Sequence, residues 1–160
     1  IRAVSAAEDH DFLFALYAST REDLASFGGD PSQIDGLLGM QFRAQNDAYS
    51  VQYPGAEHHI ILFRDVPAGR MFIHTTPTEI VFVDLAILPE FRNCGIGTKL
   101  IRDQLSEAAA SDRVLSFHAL KTNRAIRLYL RLGCEITADE GAFYRFEWRP
   151  NEGGFGLSLI

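Results

Sequence analysis

The sequence has few of the residues that characterise disulfide-rich and metal-bound proteins. Only two of its 160 residues are cysteines, Cys94 and Cys134, too few for a disulfide framework or, without other ligands, for a thiolate zinc site. Of its five histidines only His58 and His59 are clustered, and adjacent residues on a strand point to opposite faces. We therefore expect no metal site.

Long hydrophobic runs are also missing. The longest, residues 80–88, is interrupted by Asp84 and is far shorter than the roughly 20 residues that cross a membrane. The first eight residues lack the apolar core of a secretory signal peptide. From these absences we expect a cytoplasmic protein that makes no membrane contact.

The overall composition is that of an ordinary globular domain, with 47% hydrophobic and 22% charged residues. We assign residues 1–149 to one domain and residues 150–160 to a glycine-rich tail. The net charge is −6, but residues 92–131 hold eight basic and three acidic residues, a balance of +5 that leaves −11 elsewhere. The basic residues of this segment either bind an anion or only form solvated helix faces. The acidic charge of the rest of the chain argues against nucleic acid as a partner.

The first part of the chain is predicted to form a short strand and two helices. The strand lies at residues 1–4, and Ser5 and Glu8 fit a capping box for the first helix. This helix should bury the apolar face formed by Phe12, Leu13, Leu16 and Tyr17, whose spacing is helical. Two glycines at residues 27–29 should interrupt the helical structure. A second helix is predicted at residues 30–49, because an aspartate followed by proline is a strong helix start.

A β-region follows the two helices. Residues 58–63 and 70–75 are predicted to form a hairpin around a turn at residues 65–69, which contains a proline and a glycine. Residues 80–88 are nearly all apolar or β-branched, which is typical of a central strand buried on both faces. Pro89 should end this strand, because proline cannot continue its hydrogen-bond ladder.

The rest of the chain alternates between helical and strand patterns. Helices are predicted at residues 97–111 and 125–132, with Gly133 as the stop of the second, and strands at residues 114–120, 134–137 and 142–148. The whole order is β-α-α-β-β-β-α-β-α-β-β. This order predicts a mixed α/β (α+β) fold rather than a doubly wound nucleotide-binding domain.

The connection after the strand at residues 80–88 is the most informative stretch. Gly95 and Gly97 lead into a helix whose first amides have no internal partners and, with the helix dipole, present about half a positive charge. Arg92, Thr98 and Lys99 add side-chain donors. The physical expectation is a phosphate or pyrophosphate held mainly by backbone amides.

Two other phosphate-binding loops fit this stretch less well. The dinucleotide fingerprint G-x-G-x-x-G needs a third glycine where Leu100 stands. The ATP-binding loop G-x-x-x-x-G-K-S/T needs its lysine directly after glycine, whereas Thr98 separates Gly97 from Lys99 here. The pattern that does fit this stretch is R-x-x-G-x-G directly after a strand.

At residues 92–97 and 123–133 the chain resembles the GNAT superfamily of acyl-CoA-dependent N-acyltransferases. The segment R-N-C-G-I-G resembles the family's Q/R-x-x-G-x-G/A loop, and N-R-A-I-R-L-Y-L-R-L-G resembles its N-x-A-x-x-L-Y-x-x-x-G segment. The chain looks most like small bacterial N-acetyltransferases. The resemblance implies a mixed, twisted sheet of about seven strands with about four helices.

The resemblance also implies roles for individual residues. Tyr129 would be the general acid that protonates the departing thiolate. Asn123 would hydrogen-bond the pantetheine, although many members carry that asparagine one position earlier, where this chain has Thr122. The backbone at the end of the strand at residues 80–88 would hold the pantetheine, or these residues would only pack in the core. The loop that follows would bind the pyrophosphate. The implied coenzyme-binding residues are Leu85, Ala86, Ile87, Arg92, Asn93, Cys94, Gly95, Ile96, Gly97, Thr98 and Asn123.

The general base is not fixed by the sequence. Deprotonating a lysine-type amine at pH 7 costs about 4.6 kcal/mol, so a base is useful. His118 stands where some family members place a catalytic carboxylate, and Asp84 lies inside a buried strand, where desolvation favours proton uptake. Each could instead be structural, and a water-mediated base or no base is the third alternative. The residues expected to line the acceptor pocket are Gln45, Tyr49, Tyr53 and Tyr144.

These patterns predict an acetyl-CoA-dependent N-acetyltransferase. It would transfer acetyl to a primary amine of a small molecule or peptide, by direct attack in a ternary complex and without a metal. We expect Cys134 to be a small buried residue and Cys94 to carry no acyl group. The alternatives are a coenzyme A-binding sensor or scaffold without turnover, and an N-acyltransferase that uses another acyl-CoA. A homodimer through the helix at residues 30–49 is a further expectation.

Overall fold

The computed structural model describes residues 1–5, 7–21 and 30–150. Within these residues the helices and strands follow one another in the order that the sequence predicts. The predicted break at residues 27–29 and the tail at residues 151–160 lie outside them. The strands are β1 (Arg2–Ala3), β2 (Glu57–Phe63), β3 (Val66–Thr75), β4 (Glu79–Ile87), β5 (Val114–Leu120), β6 (Glu135–Glu140) and β7 (Phe143–Trp148), and the helices are α1 (His10–Ser19), α2 (Pro31–Gln52), α3 (Ile96–Ser111) and α4 (Ile126–Arg131).

The strands form one mixed sheet in the order β1-β2-β3-β4-β5-β7-β6. The pairs β1–β2, β2–β3, β5–β7 and β6–β7 are antiparallel, and β4 and β5 are parallel over Glu79–Phe82 and Val114–Phe117. The predicted fold class is therefore confirmed. In the described ranges, no helix has both the length and the apolar character that a bilayer crossing requires.

The chain divides into two compact units, and β4 contributes to both. The first unit comprises Ile1–His74 and Val83–Ile96, and the second comprises Thr75–Phe82 and Gly97–Ile160.

A small aromatic core holds the first unit together. Phe42 of α2 packs edge-on against Phe14 and at a tilt against Tyr17 of α1, with ring centroids 5.8 and 5.4 Å apart. Leu13 and Ile60 are buried in the same cluster. The apolar spacing along α1 thus predicted the face that it buries.

The start of α1 differs from the predicted capping box. The helix begins at His10, and Asp9 stands at its N-cap without a side-chain bond to the helix. The Asp9 carboxylate instead accepts hydrogen bonds from Arg2, at 2.6 and 2.7 Å, and from the Ser5 amide at 2.8 Å. These bonds lower the pKa of Asp9 to about 2. The carboxylate ties β1 to the connection before the helix, which the local S-x-x-E pattern could not reveal.

The start of α2 agrees with its sequence signal. The Asp30 side chain accepts a hydrogen bond from the Ser32 amide at 2.9 Å, and Pro31 occupies the first helical position. The helix continues to Gln52, slightly beyond the predicted end.

The hairpin of β2 and β3 has a tighter turn than predicted. Arg64 and Asp65 form it, both in the left-handed conformation with φ of 52° and 67°. Pro67 and Gly69, which the sequence placed in the turn, lie inside β3. The prediction was wrong here because two non-glycine residues adopt a conformation that usually selects glycine.

Gly69 is required because β3 runs very close to β4. A Cβ atom at this position would lie 2.3 Å from the Ala86 carbonyl oxygen and 3.1 Å from the Ile87 Cα. The neighbouring Leu88 amide donates to the Ala68 carbonyl at 2.9 Å. Any larger residue at position 69 must therefore push the backbone of β4 away.

The strand β4 is less buried than its apolar sequence predicts. Only Ile80 and Phe82 are buried, and residues 83–87 are half-buried. The strand ends before a short 3₁₀ turn at Pro89–Phe91, as the proline predicts.

The second unit has its own aromatic core around β5 and β7. The Phe117 ring stacks on the Phe146 ring with centroids 5.1 Å apart. α4 ends at Arg131, and Gly133 follows with φ of 85°, in agreement with the predicted stop. The last turn comes slightly later than predicted, with β6 reaching Glu140.

Candidate functional site

The loop between β4 and α3 contains two residues with left-handed backbone conformations. Asn93 and Gly95 adopt left-handed conformations, with φ of 61° and 78°, and alternation of this kind turns successive amides toward one side. The side chain of Arg92 is exposed, and its Nε donates to the Ile87 carbonyl at 3.0 Å. Cys94 is exposed, with Sγ 3.6 Å from the Arg92 carbonyl oxygen.

The beginning of α3 leaves its positive dipole end without a nearby acidic side chain in its first turn. Ile96, Gly97 and Thr98 are half-buried. Lys99 forms an ion pair with Asp103 at 2.7 Å, which directs its charge along the helix. The free donors in the first turn of α3 are therefore mainly backbone amides.

Three of the predicted coenzyme-binding residues lie near the end of β4. Leu85, Ala86 and Ile87 are half-buried, and they lie beyond Glu79–Phe82, the stretch of β4 that pairs with β5. Gly69 fixes the position of this backbone from the side of β3, through its close approach to Ala86.

Asp84 is held by a buried arginine. Arg70 of β3 is 4% exposed, and its Nε donates to Asp84 Oδ2 at 2.7 Å. The other guanidinium nitrogens donate to Gln45 Oε1 at 2.9 Å and to Asn46 Oδ1 at 3.4 Å. The arginine therefore links Asp84 on β4 to α2, and these bonds satisfy most of its buried donors.

The face of α2 that covers β3 is aromatic and polar rather than aliphatic. Tyr49 stacks on Phe72 with ring centroids 5.5 Å apart, and Tyr53 lies 5.7 Å from the ring of His74. Burial, followed by the nearby Asp84 charge, raises the pKa of Tyr49 to about 12. Its phenol is therefore neutral at ordinary pH.

A cavity of about 220 Å³ lies within the first unit. Its apolar wall consists of Val4, Leu13, Phe42 and Phe72. Its polar wall consists of His10, Asn46, Tyr49, Ser50, His58 and Arg70.

His58 is a neutral member of the cavity wall. Burial, followed by the charge of Arg70, lowers its pKa to about 4. Its Nε2 is buried without a hydrogen-bond partner, and its ring meets the Phe72 ring edge-on at 5.2 Å. Within the described residues, this nitrogen is therefore a buried polar atom that no protein group satisfies.

Tyr129 of the second unit lies at the edge of the aromatic core. Its ring meets Phe117 and Phe146 edge-on, with centroids 4.8 and 5.4 Å away. Burial raises its pKa, and the Asn123 side chain opposes part of this effect. The phenol therefore keeps its proton at neutral pH. The Asn123 oxygen also accepts from the Ala125 amide at 2.9 Å, which stabilises the turn before α4.

His118 lies on the exposed side of β5. Its Nε2 is 3.2 Å from the carboxylate of Glu140, and 40% of its side chain is exposed. Tyr144 carries Lys121 over its ring, with Nζ 5.0 Å from the centroid. Of the four predicted pocket residues, Gln45 and Tyr49 lie on α2 and Tyr53 directly follows it, all in the first unit. Tyr144 lies on β7 in the second unit.

Cys134 is buried, as predicted, and burial raises its pKa to about 11. The thiol is thus protonated at neutral pH and unsuited to act as a nucleophile. Across residues 1–5, 7–21 and 30–150, no group of three or more His, Cys, Asp or Glu side chains is arranged to hold a metal ion.

A family model for the acetyltransferase (GNAT) domain matches residues 55–135, half of the chain, including the loop before α3 and Tyr129. The chain belongs to the GNAT acetyltransferase family. The resemblance of the two sequence segments is thereby confirmed. Curated protein sequences contain no match to the chain.

Several solved structures share the fold at low sequence identity. The PaiA N-acetyltransferase of Thermoplasma acidophilum, in complex with coenzyme A, is 12% identical with a TM-score of 0.68, and the match covers 92% of this chain and 96% of that one. PH1933 of Pyrococcus horikoshii is 17% identical with a TM-score of 0.68, over 94% and 96%. A GNAT acetyltransferase of Elizabethkingia anophelis with acetyl-CoA bound is 16% identical with a TM-score of 0.54, over 66% and 82%.

Sequence reasoning missed three residues of this GNAT domain's first unit: Arg70, Asn46 and His58. The sequence contains one signal that could have identified Arg70 as a partner of Asp84. Asp84 inside an apolar strand requires a cationic or hydrogen-bonding partner, and Arg70 is the basic residue of the preceding strand. No comparable signal marks His58, because its partnerless nitrogen results from packing.

Proposed function

We propose that the chain transfers an acetyl group from acetyl-CoA to a primary amine in a ternary complex. Membership of the GNAT family gives the reaction class. The observation that carries the proposal is the loop at residues 92–95, whose left-handed Asn93 and Gly95 precede the N-terminus of α3, which has no acidic residue in its first turn. Such a loop suits a diphosphate.

The residues present fit coenzyme A as the anionic co-substrate. Asn93 to Thr98 would bind the pyrophosphate through backbone amides, with the exposed Arg92 as a charged side-chain donor. Leu85, Ala86 and Ile87 would offer extended backbone to the pantetheine, and Asn123 its side-chain amide.

The transfer needs one proton donor and one proton acceptor. The amine nitrogen attacks the thioester carbon, and the carbon–sulfur bond then breaks with its electron pair leaving on sulfur. Tyr129 would donate its phenol proton to that thiolate, a role that suits a group that is fully protonated at neutral pH. The amide product and coenzyme A balance the reaction, since the amine loses one proton to a base.

Between the two candidate bases, we assign this role to His118. Its side chain is 40% exposed and contacts Glu140, so an amine from solvent can reach it. Asp84 is engaged by Arg70 through Oδ2, and we assign it a positioning role.

Thiol release is the direct test of the proposal. Purified protein is incubated with acetyl-CoA and a panel of primary amines, and free coenzyme A thiol and acetylated product are measured. Amine-dependent release with equal amounts of both products supports acetyl transfer. Coenzyme A binding without release from any amine would favour the sensor alternative, and faster release from another acyl-CoA would change the donor.

Two pairs of variants test the assigned roles. Tyr129→Phe should lower kcat about a hundredfold and leave the KM for acetyl-CoA unchanged, whereas Tyr17→Phe, in the core of the first unit, should change neither. Arg92→Ala should raise the KM for acetyl-CoA about tenfold through a lost charged contact, and the exposed Arg43→Ala should not. An unchanged kcat in Tyr129→Phe would remove the phenol from the mechanism.

A further inference from the structure

The outer face of α2 carries a line of apolar side chains, which we call the outer stripe. Its five members are all exposed: Leu37, Met40, Ala44, Ala48 and Val51. The three larger ones are 41%, 56% and 83% exposed. At about 100° per residue, all five lie within about 40° of one line along the helix. Leu38 and Phe42, which the helix buries, lie about 140° around the helix from that line. The outer stripe is therefore a second apolar face, separate from the one that packs in the first unit.

The spacing of the outer stripe is the same when it is read from either end. Counted from Ala44, the other members stand four and seven positions away on both sides. A second copy of α2, packed antiparallel about a twofold axis at Ala44, would thus place Leu37 against the partner's Val51 and Met40 against the partner's Ala48. The mean spacing is about 3.5 residues, the period at which two helices stay in contact by winding around each other.

Two charged side chains beside the outer stripe fit the same arrangement. Arg43 and Asp47 are exposed on the same flank of the stripe, and within the described ranges neither forms an ion pair or a hydrogen bond. In an antiparallel pair this flank faces the same flank of the second copy, so Arg43 lies about 3 Å along the helix axis from the partner's Asp47. In a parallel pair it would face Gln41 and Gln52, which carry no charge. The two exposed ion pairs add little affinity, but they favour the antiparallel orientation.

The length of the outer stripe limits the strength of such a contact. From Leu37 to Val51 the stripe is about 21 Å long, and this one pair of helices buries less surface than a typical stable complex. We therefore expect association at micromolar and higher concentrations.

We propose that the chain forms a homodimer in which the outer stripes of two α2 helices pack antiparallel around Ala44. A second copy is the partner because the stripe matches its own reversed sequence in both apolar spacing and charge. Such a contact is isologous, so each pair of residues occurs twice and the assembly closes at two copies.

Sedimentation equilibrium tests whether the dimer forms through this face. Between about 1 and 500 µM the wild-type chain should change from monomer to dimer. Met40→Glu should raise the dissociation constant about a hundredfold, because it buries a carboxylate in an apolar contact. Leu130→Glu makes the same kind of change at an exposed apolar residue of α4 and should leave the constant unchanged. A wild type that stays monomeric, or equal effects of the two variants, would overturn the proposal.

An exchange of charges tests the antiparallel orientation. Arg43→Asp and Asp47→Arg each bring like charges together in their own homodimers, which should raise the dissociation constant about tenfold. An equal mixture of the two variants should form a heterodimer about as tight as the wild-type dimer, since every contact then joins opposite charges. Both residues are exposed, so neither change should alter the circular dichroism spectrum. A mixture that associates no more tightly than the separate variants contradicts the antiparallel pairing.

Discussion

Arg70 donates a hydrogen bond from Nε to Oδ2 of Asp84 at 2.7 Å while only 4% of the arginine is exposed. The same guanidinium reaches Gln45 and Asn46 on α2. One side chain thus joins a helix to two strands inside the first unit. Its charge is tolerated there because the aspartate compensates it.

Replacing Arg70 while Asp84 is kept should lower the stability of the folded chain. We expect Arg70→Met to lower the free energy of unfolding by about 3 kcal/mol, because Asp84 then stays partly buried without its cation. Urea unfolding followed by circular dichroism measures the change. The double variant Arg70→Met/Asp84→Leu should recover much of the loss, whereas Arg43→Met on the exposed side of α2 should cost almost nothing. A double variant as unstable as Arg70→Met would show that the charge pair is not the cause.

The two candidate bases make different predictions for activity. His118→Gln should lower kcat about a hundredfold without altering the unfolding midpoint, because the side chain is exposed. Asp84→Asn should lower stability as well, since it leaves Arg70 without a carboxylate. Measuring kcat and the urea midpoint for both variants separates the roles. Full activity of His118→Gln together with a folded but inactive Asp84→Asn would transfer the base to Asp84.

Gly69 should be intolerant of even one added methyl group. In Gly69→Ala the new Cβ would lie 2.3 Å from the Ala86 carbonyl oxygen, so the backbone of β4 must shift. We expect a loss of about 2 kcal/mol of stability and a raised KM for acetyl-CoA, because Ala86 and Ile87 are assigned to the pantetheine. Gly36→Ala, an open position on α2, should instead stabilise by about 0.5 kcal/mol. A fully stable Gly69→Ala would mean that the two strands separate easily.

His58 should make the protein less stable in mild acid. Its pKa is about 4 in the folded chain and about 6.5 when unfolded, so the unfolded chain binds more protons between these values. This contribution to stability is complete above pH 6.5 and is lost as the pH falls toward 4. His58→Phe should flatten the fall in unfolding free energy between pH 7 and pH 5, whereas the exposed His10→Phe should not. If the unfolding free energy falls equally steeply with pH in His58→Phe and in the wild type, His58 does not cause the loss of stability in acid.

The order of elements was predictable because each depends on nearby residues. Apolar spacing revealed the buried face of α1, Asp30 with Pro31 fixed the start of α2, and Gly133 fixed the end of α4. The hairpin turn was not predictable in this way, because Arg64 and Asp65 adopt left-handed conformations without a glycine. Pro67 and Gly69 therefore looked like turn residues although they belong to a strand.

The candidate site was predictable only where its residues are contiguous. The loop at residues 92–97 and the segment before Gly133 carry their pattern within a few positions, so sequence alone sufficed to find them. Arg70, Asn46 and Asp84 are far apart in the chain and meet only after α2 packs on the sheet. The sequence showed that Asp84 needs a partner, but packing decides which one.

The aromatic and polar contacts between α2 and β3 have a consequence for divergence within the family. Positions 45 and 49 of the helix and position 53, which follows its last residue, meet alternate residues of one strand, Arg70, Phe72 and His74. A few substitutions along these positions would thus reshape the contact surface between α2 and β3 while the hydrogen bonds of the sheet stay intact. Such substitutions would leave unchanged the loop before α3 and Tyr129, which we assign to coenzyme A binding and to proton transfer.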